Sequence, residues 1–323
     1  MNYIEIFNMK EKYNDKKNII IYLHQPFNLR DGGATVQYYL AQVLSKLGRN
    51  VKIMNTLDNN ATNSIYNEFI NKNDIIDYEN TVIIYCEGIM GNPLKGKYIV
   101  RWMLSKLGQN VPYSISDSWS SNELVYFFNS EQEIIDNHKD IKCLSLLFIN
   151  PNIKNYHLKK RSGSCFTLRK SKQFHKNINY IHSPDSMEID NSHTQDDYVD
   201  IFNNHEQFIS YDFITFLNTI AALCGCISIV YPLEGVSKKD YYKKTYFYKY
   251  MVEKNIDSIY GIAYGNSESE IKHAKNTLHL VKEQIDDIVK WYIKTQVHTF
   301  LNDIDNWSNN TNTLDYYKDV MKA

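Results

Sequence analysis

Three polar clusters break up the apolar stretches of this chain where chemistry could be done. The segment YDFITFLNTIAALCGCISIVYPLEGVSK, residues 211–238, is apolar for most of its length, then turns at Pro232 into Glu234, Gly235, Ser237 and Lys238. A helix opening after Tyr211, capped by Asp212 and with Thr215 in its first turn, offers N–H groups and a partial positive charge. Ser237 is placed to cap a second helix, with Lys238 beside it. Two helix starts and a lysine suit a diphosphate, and a carboxylate at Glu234 suits a pair of sugar or ribose hydroxyls. The second cluster, in FTLRKSK, puts Arg169, Lys170 and Lys172 just past a strand end. Cations there would stabilise a departing diphosphate, which needs charge stabilisation and no proton donor. A glycoside hydrolase, by contrast, needs a carboxylic acid on the leaving oxygen. The third cluster is the loop His24 to Gly33, ending in Asp31, Gly32 and Gly33.

These residues need a scaffold, and the pattern around them predicts an α/β one. Residues 18–23 form an apolar run of buried-strand type. Val36, Tyr39, Leu40, Val43, Leu44 and Leu47 then recur at helical spacing up to a stop at Gly48, and a strand follows at 51–54. The alternation continues. A strand is expected at 81–88, a helix at 95–107, a strand at 123–130, a short helix at 131–139 and a strand at 142–149. The polar stretch 150–164 reads as a linker. Beyond it strands are expected at 165–170, 178–183, 207–212 and 226–232, with helices at 196–204 and 213–225. From Glu268 to about Asn302 the apolar residues keep a helical period, predicting a long helical tail. Two mostly parallel, doubly wound domains are therefore expected, residues 1–155 and 156–323, facing across a cleft. In such sheets ligands bind beyond the carboxyl ends of the strands.

The bulk properties narrow the function. A chain of 323 residues with 43% hydrophobic content can build two cores. A net charge of −1 argues against coating nucleic acid. Five cysteines with no CxxC pair argue against a zinc ribbon or a thioredoxin-type site, and suggest reduced thiols in a cytoplasmic setting. The N-terminus has no apolar core of signal-peptide length, and no run is long enough to span a bilayer, so stable membrane insertion is not expected. No GxGxxG follows an expected strand, which disfavours a dehydrogenase.

The segments HQPFNLRDGGATVQYYLAQVLSKLGRNVKI, YCEGIMGNPLKGKYIVRWMLSKLG, CFTLRKSK with IHSPDSMEID, and residues 210–238 are similar to a group of sugar-nucleotide transferases met in surface-polysaccharide clusters and large DNA viruses. With its two-series layout, the chain resembles the GT-B class of glycosyltransferases over roughly residues 18–280. The resemblance implies two Rossmann-like domains, with the donor in the second and the acceptor in the first, and a final helix returning to the first. Donor-binding residues would be Arg169, Lys170, His182, Tyr211, Asp212 and Thr215, then Glu234, Gly235, Ser237 and Lys238, with Gly32 and Gly33 allowing close backbone approach. The acceptor side would use Asn92, Asp117 and Trp119, the last as a stacking platform. A UDP- or GDP-sugar would be the co-substrate. The resemblance also implies that the chemistry needs no metal, and consistently no DxD triplet stands in a promising loop.

One departure matters. Many retaining members carry a second glutamate eight positions after the first, and from Glu234 that position is Tyr242. The anomeric outcome is therefore open. An inverting enzyme needs a base near the acceptor hydroxyl, for which Asp31 ranks first, with His24, Glu87 and Asp117 behind it. Two other readings stand beside transfer: a sugar-nucleotide 2-epimerase on the same architecture, and a glycan-binding protein without catalysis.

Overall fold

The computed structural model describes residues 16–29, 31–56, 65–70, 74–108, 110–128, 142–158, 160–169 and 178–307. The chain divides into two compact units, one comprising Met1–Phe148 and Val289–Ala323, the other Ile149–Ile288.

The first unit is built on five parallel strands, β1 (Asn18–Leu23), β2 (Val51–Asn55), β3 (Thr81–Cys86), β4 (Tyr98–Met103) and β5 (Leu124–Phe127). Their order is β2-β1-β3-β4-β5. Helix α1 (Gly32–Lys46) joins β1 to β2. All six residues of β3 are buried, the continuous burial of a parallel strand covered on both faces, which is why TVIIYC has no polar alternation.

Residues 95–107 are not a helix. Ile99, Trp102, Met103 and Leu107 mimic a helical period, yet YIVRWM is the strand β4, paired in register with β3 through Ile83↔Ile99 and with β5 through Val100↔Leu124. A short buried apolar run satisfies either period, and here the β-branched and aromatic residues pack as strand. The stretch expected as a strand at 142–149 forms a single bridge, Cys143 to Phe127, and no ladder. The expected helix at 131–139 lies outside the described residues.

The second unit repeats the plan with β6 (Ser164–Thr167), β7 (Met187–Glu188), β8 (Gln207–Ser210), β9 (Ile227–Val230) and β10 (Ile262–Tyr264). The order is β10-β9-β8-β6-β7, and every pair is parallel. Two parallel five-stranded sheets with interleaved helices make a two-domain, Rossmann-like α/β protein.

The helices of this unit are α2 (Gln195–Asn204), α3 (Leu217–Leu223), α4 (Lys238–Lys243), α5 (Tyr248–Lys254) and α6 (Glu268–Thr277). Helix α3 starts four residues later than the apolar pattern suggests, and its cap residue, Phe216, makes no side-chain bond to it. Residues 178–183 are not a strand either. Ile178 and Ile181 instead pack on the core around Ile209, Tyr211 and Ile229. The stretch 150–164 is no free linker, because Arg161 donates to the carbonyls of Phe202 and Cys224, both at 2.7 Å.

The tail is segmented. After α6 come a 3₁₀ turn (Leu278–Leu280), α7 (Val281–Tyr292), a π turn (Ile293–Val297) and α8 (His298–Asp305). Its end is tied to the first sheet: Asp303 accepts from Tyr126 and, at 2.7 Å, from Lys142, while Arg49 meets Asp305 at 3.0 Å. Among the described residues no helix is long and apolar enough to cross a membrane.

Candidate functional site

Where strand order reverses in a parallel sheet, the two flanking connections leave on opposite faces and open a crevice beyond the carboxyl ends of the strands. In the second unit that point lies between β6 and β8. The chain leaving β6 carries Arg169, and the chain leaving β8 carries Tyr211 and Asp212.

Asp212 is fully buried, and its Oδ1 accepts the backbone N–H of Arg169 at 2.9 Å. Its Oδ2 lies 3.7 Å from Arg169 Nε. The carboxylate therefore fixes the main chain of the arginine and faces its head group as an ion pair. Arg169 Nη1 reaches Asn191 Oδ1 and the Tyr198 hydroxyl, both at 3.3 Å. Tyr198 stands on α2, whose start is fixed by a capping box between Thr194 and Asp197. The arginine side chain remains 16% exposed at the switch point, with its Nε buried against Asp212. Asp212 does not cap a helix, since α3 begins at Leu217. Thr215 precedes α3, and its hydroxyl accepts from Leu217 N–H at 3.3 Å. Lys170 lies outside the described residues.

Behind Asp212 is an aromatic cluster. Tyr211 is fully buried, and its hydroxyl accepts from Ile181 N–H at 2.9 Å and bonds His182 Nδ1 at 2.8 Å. Direct ligand contact expected of Tyr211 is thus replaced by a positioning contact. His182 stacks on Phe166 with centroids 3.8 Å apart and planes within 7°. Burial pushes the imidazole below its ordinary value of 6.5, against a smaller upward pull from Glu188.

Beyond β9 the chain turns through Leu233–Val236, closed by Val236 N–H to Leu233 C=O at 3.1 Å. Gly235 takes φ 76°, the third-position geometry of a type II turn that a side chain would strain. The Tyr264 hydroxyl anchors the turn at Val236 C=O, 2.7 Å away, and Glu234 projects exposed from its outer side. Ser237 caps α4 by accepting from Asp240 N–H at 3.1 Å. Lys238 is not a spare cation. Its Nζ sits 2.7 Å from Glu270 Oε1, and Glu270 Oε2 accepts from Tyr264 N–H at 3.0 Å. A cavity of about 500 Å³ touches Lys238 and Tyr242 but not Arg169.

In the first unit the equivalent switch point lies between β1 and β3. His24 leaves β1 exposed, and a Cβ on Gly88, past β3, would stand 3.7 Å from His24 Cε1, so the two loops meet. Asp31 caps α1, its Oδ1 accepting from Ala34 N–H at 3.0 Å. Gly32 and Gly33 form the first helical turn, and a Cβ on Gly32 would meet nothing within 4 Å. Glu87 is buried, with both oxygens engaged by Leu104 N–H, Ser105 N–H and the Ser105 hydroxyl at 2.8, 3.1 and 2.6 Å. That clamp joins the ends of β3 and β4 and leaves Glu87 poorly placed as a base.

Asn92 is spent on Tyr85 and Gly96. Asp117 is exposed on a 3₁₀ turn (Tyr113–Ser118). Trp119 is 5% exposed, donates to Ile89 C=O at 3.0 Å and lies under Arg101, 4.5 Å from ring centroid to guanidinium. It is a core residue and no stacking platform for a ligand. Arg101 itself went unread in the sequence. It is fully buried, paired with Glu123, and donates to Ile89 and Gly91 carbonyls at 2.8 and 2.9 Å. Glu270, Asn191 and Tyr198 were missed as well, and nothing local in the sequence marks any of them.

No family model matches the chain, and no curated protein matches it. Among solved structures it is similar to one described as "Crystal Structure Analysis of the Glycotransferase of kitacinnamycin". The identity is 9% and the TM-score 0.35, over 95% of this chain and 98% of that one. A likeness this distant carries no argument about the function.

Proposed function

We propose that this protein is a GT-B type glycosyltransferase, moving a sugar from a UDP- or GDP-sugar to a glycan acceptor. The second unit binds the donor, and the first supplies the acceptor side. The observation carrying the reading is Arg169, oriented by the buried carboxylate of Asp212 at the β6/β8 reversal. A pre-oriented, partly exposed arginine there is suited to a diphosphate, because its planar fork matches phosphate oxygens and costs little ordering when the ligand arrives.

In this reading Arg169 stabilises the negative charge that grows on the departing nucleoside diphosphate, so no general acid is required. Glu234, free at the tip of its turn, accepts from sugar or ribose hydroxyls, with Gly235 allowing the turn that presents it. Ser237 and Lys238 support that turn and do not carry the phosphate themselves. His24 is the acceptor-side base that best fits the geometry, being exposed beside the loop after β3, whereas Asp31 is occupied as a cap. Arg169 meets the diphosphate charge in place of a metal ion, a feature that turnover in excess chelator tests.

The experiment is incubation with a panel of UDP-, GDP- and dTDP-sugars, with the products separated. Slow release of free sugar and nucleoside diphosphate supports transfer. A new isomeric nucleotide sugar would indicate the 2-epimerase. No turnover and no binding would leave the glycan-binding reading.

A further inference from the structure

A cavity of about 530 Å³ opens in the second unit, at the end of the sheet opposite Arg169. Its walls are residues 153–157 ahead of β6, the end of α3, and the turn from α6 into α7. These elements precede strands or end helices, so they lie at the amino ends of the strands. The candidate donor site lies at the carboxyl ends, so the two regions are separate.

The lining divides sharply by chemistry. Its floor is aliphatic, from Ile153, Ala222, Leu223, Leu278 and Val281. Its rim holds Lys154, His157, Lys275, His279 and Lys282, and no carboxylate lines it. Lys282 pairs with Asp286 one turn along α7. Lys275 and His279 are exposed, with no bond or ion pair to a described residue. Lys154 is exposed with Nζ 6.0 Å from the Tyr156 ring.

The wall is built rather than incidental. Asn203, fully buried, donates to Lys154 C=O at 3.0 Å and accepts from Tyr156 N–H at 2.7 Å. Asn155 accepts from Arg161 at 2.7 Å and from His157 N–H at 2.8 Å. His157 is held at φ 53°, a conformation uncommon for a residue with a side chain. A surface segment is thus fixed by buried polar groups in the shape that turns Lys154 and His157 to the cavity.

We infer that this cavity is a second binding site, specific for the phosphate ester of a lipid, with the phosphate at the cationic rim and the first acyl carbons on the aliphatic floor. The volume falls within the range of small-molecule sites, about 300–1,000 Å³. Lys154 and Lys275 carry like charges at the rim while Lys282 is paired with Asp286, and an anion between the two lysines removes their repulsion. The floor lacks the aromatic faces that a sugar ring prefers, whereas hydrocarbon is its natural occupant. The inference stands apart from the donor reading, since it uses none of the same residues.

The test titrates the whole protein with dihexanoyl phosphatidic acid below its micellar concentration, and separately with inorganic phosphate. Saturable lipid binding is expected, weakening as salt is raised. Lys154→Glu and Lys275→Glu are each expected to weaken it by about tenfold, a change equivalent to one decade in Kd. Both lysines are exposed, so the melting temperature should hold. Arg169→Ala should leave lipid binding intact, separating this site from the donor reading. Absence of lipid binding, equal binding by the lysine variants, or inorganic phosphate binding as tightly as the lipid would overturn the inference.

Discussion

Asp212 accepts the backbone N–H of Arg169 at 2.9 Å from a fully buried position, across the two strands where the second sheet reverses its order. The hydrogen bond sets the course of the chain leaving β6, and the second carboxylate oxygen faces the guanidinium. Stability and ligand chemistry meet in one side chain.

Asp212→Ala should therefore destabilise the protein by about 1.5–3 kcal/mol, the range for hydrogen bonds to a charged partner. Urea unfolding measures it. An unchanged slope with a lower midpoint is expected, because the exposed surface on unfolding stays the same. A shift within a few tenths of a kcal/mol would show that the bond is incidental.

The Arg101–Glu123 pair calls for a double-mutant cycle. Both side chains are fully or almost fully buried and bidentate, and Arg101 also packs on Tyr85 and Trp119. Glu123→Leu alone leaves a buried uncompensated guanidinium and should cost about 3–5 kcal/mol. Arg101→Met together with Glu123→Leu should cost clearly less than the sum of the two single changes. Additive losses would mean that the pair does not act as a unit.

Much of the scaffold was legible because buried parallel strands write themselves as unbroken apolar runs, as in NIIIYL and TVIIYC. The same property hid β4, whose Ile99, Trp102 and Met103 fit a helical spacing equally well. Strand pairing decided the matter, and pairing is non-local. The loops after β1, β6, β8 and β9 were identifiable from strand ends alone. What each charge does in those loops was not. Lys238 meets a glutamate 32 residues away, and Arg101 one 22 residues away, each on a different element. Asp212 has the sequence context of a helix cap, but the backbone of Arg169 takes its carboxylate first.

The Lys238–Glu270 contact predicts an acid-sensitive component of stability. Burial works to raise the Glu270 carboxyl, but Lys238 Nζ and Tyr264 N–H outweigh it and hold it below the ordinary 4.5. A depressed folded-state value means the contribution is complete above about the unfolded value and fades as pH falls through the folded one. Wild-type stability should thus fall below pH 4.5 more steeply than that of Glu270→Gln, followed by thermal melts across that window. Parallel curves would contradict the contact.

Gly225 takes φ 84°, and a Cβ there would lie 2.3 Å from Asn155 Nδ2 and 2.9 Å from Arg161 Nη2. Gly225→Ala should cost about 1–3 kcal/mol through backbone strain and displacement of that network. It should also weaken lipid phosphate binding, because Asn155 shapes the cavity wall. Unfolding titrations and the lipid titration read the two effects separately.

Donor capture by Arg169 is read from the thermal shift that UDP- and GDP-sugars produce in the wild type and in Arg169→Ala. At least one nucleotide sugar should raise the melting temperature of the wild type. The variant should lose that rise, measured against its own ligand-free melting temperature, which is itself expected to fall because the buried Asp212 carboxylate loses its ion-pair partner. A wild type indifferent to every nucleotide sugar, or a variant that binds one as tightly, would contradict the proposed donor site.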